Sequence, residues 1–350
     1  MKSINHKRQS NIELLRIIAM FMVLVLHANF LALNPPTSND LFSRPIPTIT
    51  RIFIEALSVV CVNVFVLISG YFSIRPNIQG CCKFIFQCIF FLFPIGLISH
   101  ICFGTQLKYD FLFMNQDCYW FVKAYIGLLI IAPVINSFIE KVTQKQLLTW
   151  IIFFYLFQTL YGGFISKGAD FFLKGYSTLS FIGLYTLGRY VRLYPSKYTN
   201  QSMIKSFSIY LIITMIMTLF SILGLKYISN VGISSKVLNQ CVACYVNPFT
   251  VIASLYLLLS FTKLHFSSRI INYIAASSFA VYLLHTNPAL LGIYTEKMKL
   301  LYDTFNGIYY LFIISGTLIA IFITAIIIDQ IRLYFWNLIN KTYTNLLRLI

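Results

Sequence analysis

Three ionisable side chains share one apolar run near the start of the chain, NIELLRIIAMFMVLVLH: Glu13, Arg16 and His27. An ionisable group costs about 2.5–3.5 kcal/mol at the centre of a membrane helix, so each calls for a partner or a function. Arg16 and His27 are eleven residues apart. On an α-helix that is about three turns, with the two side chains roughly 20° apart around the axis and ~16 Å apart along it. Glu13 lies three residues before Arg16 and shares its face. The stripe offers a guanidinium able to grip a phosphate or pyrophosphate bidentately. Deeper in, it offers an imidazole able to take a proton from an attacking hydroxyl. The plainer reading makes Glu13 and Arg16 an interfacial ion pair and His27 a hydrogen-bonded contact between helices. On physics alone the two readings weigh the same.

Further groups of this kind recur downstream. A second apolar run carries Glu55 and Asn63, ends in Phe65-Val66-Leu67-Ile68-Ser69-Gly70-Tyr71, and is followed by Arg75. Ser69-Gly70 is accounted for by close helix packing, and Arg75 by snorkelling from a helix end. Neither argument covers Glu55, which falls in the outer half of its helix. A late segment, Ser277 to His285, brings a second imidazole to a depth comparable to His27. Two imidazoles at one depth could line one cavity, although either alone reads as a satisfied core histidine. In Tyr119-Trp120-Phe121-Val122-Lys123-Ala124-Tyr125, an interfacial aromatic belt accounts for Tyr119 and Trp120. Lys123 reads as a snorkelling cation or a functional one.

The elements that position these residues must be membrane helices. Hydrophobic residues make up 58% of the 350 and charged residues 11%, with a mean hydropathy of +0.77. A chain so poor in charge cannot cover its surface with polar groups in water. Ten apolar segments stand out, at 12–31, 51–72, 82–103, 119–139, 147–165, 176–194, 204–225, 245–262, 270–291 and 308–329. The fold class expected is all-α, a polytopic bundle of about ten spans forming one membrane domain over 1–350. The first run is too long for a signal-peptide core and reads as a retained span.

A net charge of +17 on a soluble protein would point to nucleic acid. Here the basic residues sit between apolar runs, and no nucleic-acid partner is expected. With the N-terminus inside, about 16 Lys and Arg, among them Lys2, Lys7, Arg332 and Arg348, fall inside. About 10, among them Arg51, Lys108 and Lys167, fall outside, which places both termini in the cytoplasm. Most of the eight cysteines, Cys118 included, lie in apolar segments as small hydrophobes. Cys241-Val-Ala-Cys244 lacks the further ligands zinc needs. It reads as a disulfide on an oxidising face or as an incidental pair. No metal is expected.

Three of these features, taken in order, resemble the membrane-bound acyltransferase family 3. They are an Arg-x10-His in the first span (Arg16 to His27), a Phe-rich Ser-Gly-Tyr end to the second (Phe65 to Tyr71), and a late Tyr-Leu-x-His (Tyr282 to His285). The tract YWFVKAYIGLLIIAPVIN is similar to the family's fourth-span region. The resemblance implies O-acylation: an acyl group, often acetyl, passes from cytoplasmic acyl-CoA to a hydroxyl of a carbohydrate or a related acceptor. It implies an integral protein of a bacterial inner membrane, with acyl-CoA as donor substrate and no permanently bound cofactor. By that resemblance Arg16 and His27 match the functional pair, and Ser69 and Gly70 the second-span motif. Arg75 joins Arg16 as a candidate for the donor phosphates, and Glu55 and His285 join His27 as candidate catalytic groups. Two departures are visible. Many members carry a run of Arg before the third span, where this chain has only Arg75 and Lys83 and then QCIFFLFP. Some members carry a C-terminal hydrolase-like domain, and no appended soluble domain is expected here. The rival readings are a transporter or flippase for a polysaccharide precursor, which should show internal repeats, and a sensor or scaffold without turnover.

Overall fold

A computed structural model describes residues 8–104, 119–164, 170–228 and 230–347. Lys2, Lys7, Lys108, Cys118, Lys167 and Arg348 lie outside the described residues. Every regular element among the described residues is helical. In chain order these are α1 (Ser10–Leu26), a π-turn (His27–Leu31), α2 (Ser38–Ser43), α3 (Pro45–Ser58), α4 (Cys61–Phe72), α5 (Ile78–Phe103), α6 (Trp120–Lys141) and α7 (Gln144–Phe157). A second π-turn (Gln158–Phe164) and a 3₁₀ segment (Asp170–Gly175) lead to α8 (Thr178–Leu193), α9 (Met203–Tyr227), α10 (Val231–Val242) and α11 (Pro248–Thr262). The chain continues through α12 (Arg269–His285), α13 (Leu291–Thr304) and α14 (Gly307–Leu347). Several helices open where a short polar side chain takes an unpaired N–H of the first turn. Asn77 does so for α5, Ser177 for α8, Ser202 for α9 and Asn230 for α10.

Among the described residues, six helical stretches are long and apolar enough to cross a membrane: Ser10–Leu31, Pro45–Phe72, Ile78–Cys102, Trp120–Lys141, Met203–Tyr227 and Gly307–Lys341. They coincide with six of the ten expected segments. The other four are realised as shorter helices. α7 has 14 residues before its π-turn, α8 has 16, α11 has 15 and α12 has 17. A 15-residue α-helix is only about 22 Å long, against a hydrocarbon core of about 30 Å.

The chain divides into two compact units, each built from separated stretches: Met1–Arg75 with Trp120–Asn272, and Pro76–Tyr119 with Tyr273–Ile350. In the first unit, α4 is the central helix. It lies against α8 so closely that a Cβ on Gly70 would fall onto the Tyr185 carbonyl, and a Cβ on Gly188 onto the Leu67 carbonyl. Small residues at both crossings let the two backbones touch, the usual means of packing helices in lipid. Polar side chains tie further helices of this unit together. Tyr210 of α9 donates to the Leu57 carbonyl at 2.7 Å, and Asn63 of α4 donates to the Tyr245 carbonyl at 3.0 Å. Asn11 of α1 donates to the Phe261 carbonyl of α11 at 2.9 Å.

In the second unit, α5 and α14 run together. Gln87 donates to Asp329 at 3.1 Å, and Asp329 is gripped by Arg332 through two bonds of 2.9 and 2.7 Å. Both members of that ion pair are buried. Arg332, expected among the inside cations, is buried in this pair. Asn287 donates to the Phe91 carbonyl at 2.9 Å and Tyr119 to the Leu283 carbonyl at 2.7 Å, fastening the end of α12 to this unit.

Candidate functional site

The site is built around α1. The helix is regular through Leu26, so the register that sets Arg16 and His27 on one face survives into the structure. Glu13 is buried, and its carboxylate accepts from Arg16 Nη1 at 2.6 Å, while the Arg16 side chain keeps 36% of its surface accessible. Arg16 therefore carries a neutralised but partly open guanidinium, with donors beyond the one that Glu13 takes. His27 is half-buried and opens the π-turn. Here the Ala32 N–H reaches back five residues to the His27 carbonyl. Such single π-turns interrupt the regular helix ladder and concentrate at functional sites.

Opposite this turn stands α3. Asn29, the second residue after His27, donates to Glu55 Oε2 at 2.8 Å and to the Arg51 carbonyl at 2.9 Å. Arg51 Nε in turn donates to Asn29 Oδ1 at 3.0 Å, and an Arg51 Nη group donates to the Asn34 carbonyl. Glu55 also faces the Phe30 backbone N–H. The described partners of Glu55 thus belong to the π-turn, and Glu55 meets the site through the backbone that carries His27.

At the other end of the stripe, Ser69 of α4 is bonded to the Tyr125 hydroxyl of α6 at 3.1 Å and donates to the Phe65 carbonyl at 3.0 Å. Tyr125 lies within Coulombic reach of Arg16. The structure therefore gathers Arg16, Ser69 and Tyr125 from three helices into one neighbourhood. Gly70 points the other way, into the α8 contact, and its missing side chain is accounted for by that packing. Arg75 follows the end of α4 and is exposed.

The chain beyond α4 is fixed by residues that sequence reasoning did not single out. Ser73 has a left-handed backbone (φ 62°). Asn136 of α6 donates to the Ile74 carbonyl at 2.9 Å and accepts from the Tyr185 hydroxyl at 2.7 Å, while the Ile74 N–H donates to Tyr185 at 2.9 Å. Arg192 of α8 donates to the Tyr71 hydroxyl at 3.0 Å, with its guanidinium 4.9 Å from the ring centre. Tyr125 and Asn136 both lie in the quoted YWFVKAYIGLLIIAPVIN tract, the one signal that could have flagged them.

His285 closes α12 and belongs to the second unit. It is buried, its Nδ1 lies against the Val281 carbonyl one turn back, and its ring stands 5.3 Å from that of Tyr294. A neutral imidazole donating from Nδ1 presents Nε2 as its acceptor. Lys123 is exposed. Cys241 and Cys244 are free thiols. Among the described residues no group of three or more His, Cys, Asp or Glu is arranged to hold a metal ion.

Apolar spans enclosing a carboxylate–guanidinium pair and an imidazole on one helix face define a helical integral membrane protein with an internal polar site. The family model described as an acyltransferase domain matches residues 9–328, and the chain belongs to acyltransferase family 3. The match contains α1 to α13 and runs through both compact units. No curated protein and no solved structure matches the chain significantly.

Proposed function

We propose that this membrane acyltransferase moves an acyl group, taken as acetyl, from cytoplasmic acyl-CoA to a hydroxyl of a cell-surface carbohydrate or its lipid-linked precursor. Both termini are on the cytoplasmic side, in the inner membrane of a bacterium. The observation that carries the reading is the stripe on α1: an accessible guanidinium at one level and a half-buried imidazole ~16 Å further along the same face. The donor enters from the cytoplasm with its phosphates at Arg16, assisted by Arg75 at the end of α4. Ser69, hydrogen-bonded to Tyr125 beside Arg16, lines the same approach, and Gly70 keeps α4 against α8. The thioester arm extends toward His27.

His27 takes the proton of the acceptor hydroxyl as its oxygen attacks the thioester carbonyl. The new C–O ester bond forms, the C–S bond breaks, and the departing thiolate takes a proton to leave as free CoA. Glu55 supports this base from α3. His285 is the second imidazole tested for a part in handling the acceptor.

The test is transfer of label from radiolabelled acetyl-CoA to endogenous glycans, in membranes holding wild-type protein, His27→Ala or His285→Ala at matched levels. Label incorporated by wild type and lost in His27→Ala supports the reading, and isolating the labelled glycan identifies the acceptor. Full transfer by a folded His27→Ala overturns the base assignment. No transfer by folded wild-type protein overturns the donor assignment and favours transport of a polysaccharide precursor.

A further inference from the structure

We propose that Arg51, Asn29 and Glu55 form a positioning device that holds the π-turn at His27, and through it sets the imidazole where an acceptor hydroxyl is deprotonated. The assignment of His27 as the base rests on the function proposed above; the device itself rests on geometry. A π-turn gives up regular i→i+4 bonding over one turn and persists where other groups hold the backbone open. Here α3 supplies those groups from two side chains four residues apart, which share one helix face.

Asn29 bridges them. Its carbonyl oxygen accepts from Arg51 Nε at 3.0 Å, and its amide donates to Glu55 Oε2 at 2.8 Å and to the Arg51 carbonyl at 2.9 Å. A neutral amide thus stands between the Arg51 guanidinium and the buried Glu55 carboxyl, and the bond from Arg51 is charge-assisted. Glu55 also faces the N–H of Phe30, the donor that a regular α-helix would direct to the Leu26 carbonyl. Arg51 closes the far side. Its guanidinium lies 5.8 Å from the Phe30 ring centre and bonds the carbonyl of Asn34, whose φ of 58° ends the turn in a left-handed conformation. Residues 29–34 therefore wrap around one arginine side chain. The turn begins at His27, whose carbonyl accepts its five-residue bond. Relaxing 27–31 to α-geometry would move the His27 backbone. Asn29, Arg51 and Glu55 are positioning residues, acting on the reaction through the imidazole they hold.

The experiment uses the full chain in lipid nanodiscs and two readouts. One is the rate at which diethylpyrocarbonate modifies His27, read by peptide mass spectrometry, with the exposed His265 as internal reference. The other is the split between kcat and KM for acetyl-CoA. Asn29→Ala is expected to change the His27 rate relative to His265 by about tenfold and to lower kcat by at least about tenfold with KM unchanged. Glu55→Ala, which removes the acceptor of the Asn29 amide, is expected to show the same split. If Asn29→Ala does not assemble, Arg51→Lys takes its place with the same expected split, because lysine keeps the charge without the fork that reaches both Asn29 and Asn34. An unchanged His27 rate in a folded variant overturns the proposal, as does a loss that falls on KM with kcat unchanged. If wild-type protein transfers no acetyl group, the function fails, and the modification rate still decides the device.

Discussion

Gly70 of α4 faces the carbonyl of Tyr185 in α8 with no room for a side chain between them. The contact sits one residue beyond Ser69, which reaches Tyr125 on another helix. Close packing on one side of α4 and a polar contact toward Arg16 on the other thus come from adjacent residues.

Gly70→Ala should separate α4 from α8, because the atom it strikes is backbone and cannot rotate away. Overpacking of this kind costs about 1–3 kcal/mol. The thermal midpoint in detergent should fall, and Gly188→Ala should lower it from the opposite side of the same crossing. Because both push the same two helices apart, the double variant should lose less than the sum of the two. An unchanged midpoint in both single variants would show that the crossing is looser than described.

Removing the imidazole and removing the guanidinium should have different kinetic signatures. His27→Ala should lower kcat by about 10²–10⁴ with little change in KM for the acyl donor, the loss typical of a general base. Arg16→Gln should chiefly raise that KM, since it removes binding common to ground and transition states. Steady-state transfer assays on purified protein separate the two. The reverse pattern would interchange the roles.

The buried pair Asp329–Arg332 should be asymmetric to mutation. Arg332→Leu leaves the Asp329 carboxylate with the Gln87 amide but without its cation, and breaking a buried pair in this way costs about 3–5 kcal/mol. Replacing both members by leucine should recover much of that loss, because the desolvation of both charges goes with them. A double-mutant cycle on thermal stability gives the answer. A double variant as unstable as Arg332→Leu would mean that the pair itself, rather than the orphaned charge, holds α14.

The Asp40 carboxyl lies below its ordinary range because the Thr37 N–H and hydroxyl both donate to it, with smaller help from Arg51 and Arg44. Its folded value is lower than its unfolded value, so its contribution is complete above the ordinary carboxylate pKa and is lost as pH falls through the depressed one. Acidification should therefore fray α2, while moving from neutral to alkaline pH should leave it unchanged. Thr37→Ala, which removes the reciprocal cap, should cost about 1 kcal/mol at neutral pH. Amide exchange over 38–43, corrected for the intrinsic pH dependence, reads both effects.

Local periodicity made the first span legible. Helix register depends only on residue count, so Arg16 and His27 could be set on one face before any neighbour was known. Composition likewise established the membrane class, and the ordered motifs pointed to the family that the match over 9–328 confirms.

Which apolar segments become long helices was not decided by apolarity alone. Among the described residues, six of the ten reach spanning length, whereas α7, α8, α11 and α12 stop short. Nor did hydropathy indicate two compact units, since each is assembled from stretches far apart in the chain.

The partners of Glu55 show the same division. In the sequence it is a costly carboxylate with no visible reason to be there. In the structure it holds Asn29, twenty-six residues away, in the π-turn that follows α1. Residue type and spacing declare what each side chain can do along its own helix. Which group it does it with depends on helix neighbours, set by long-range contacts such as the Gly70 and Gly188 crossings, and these exist only once the chain has packed.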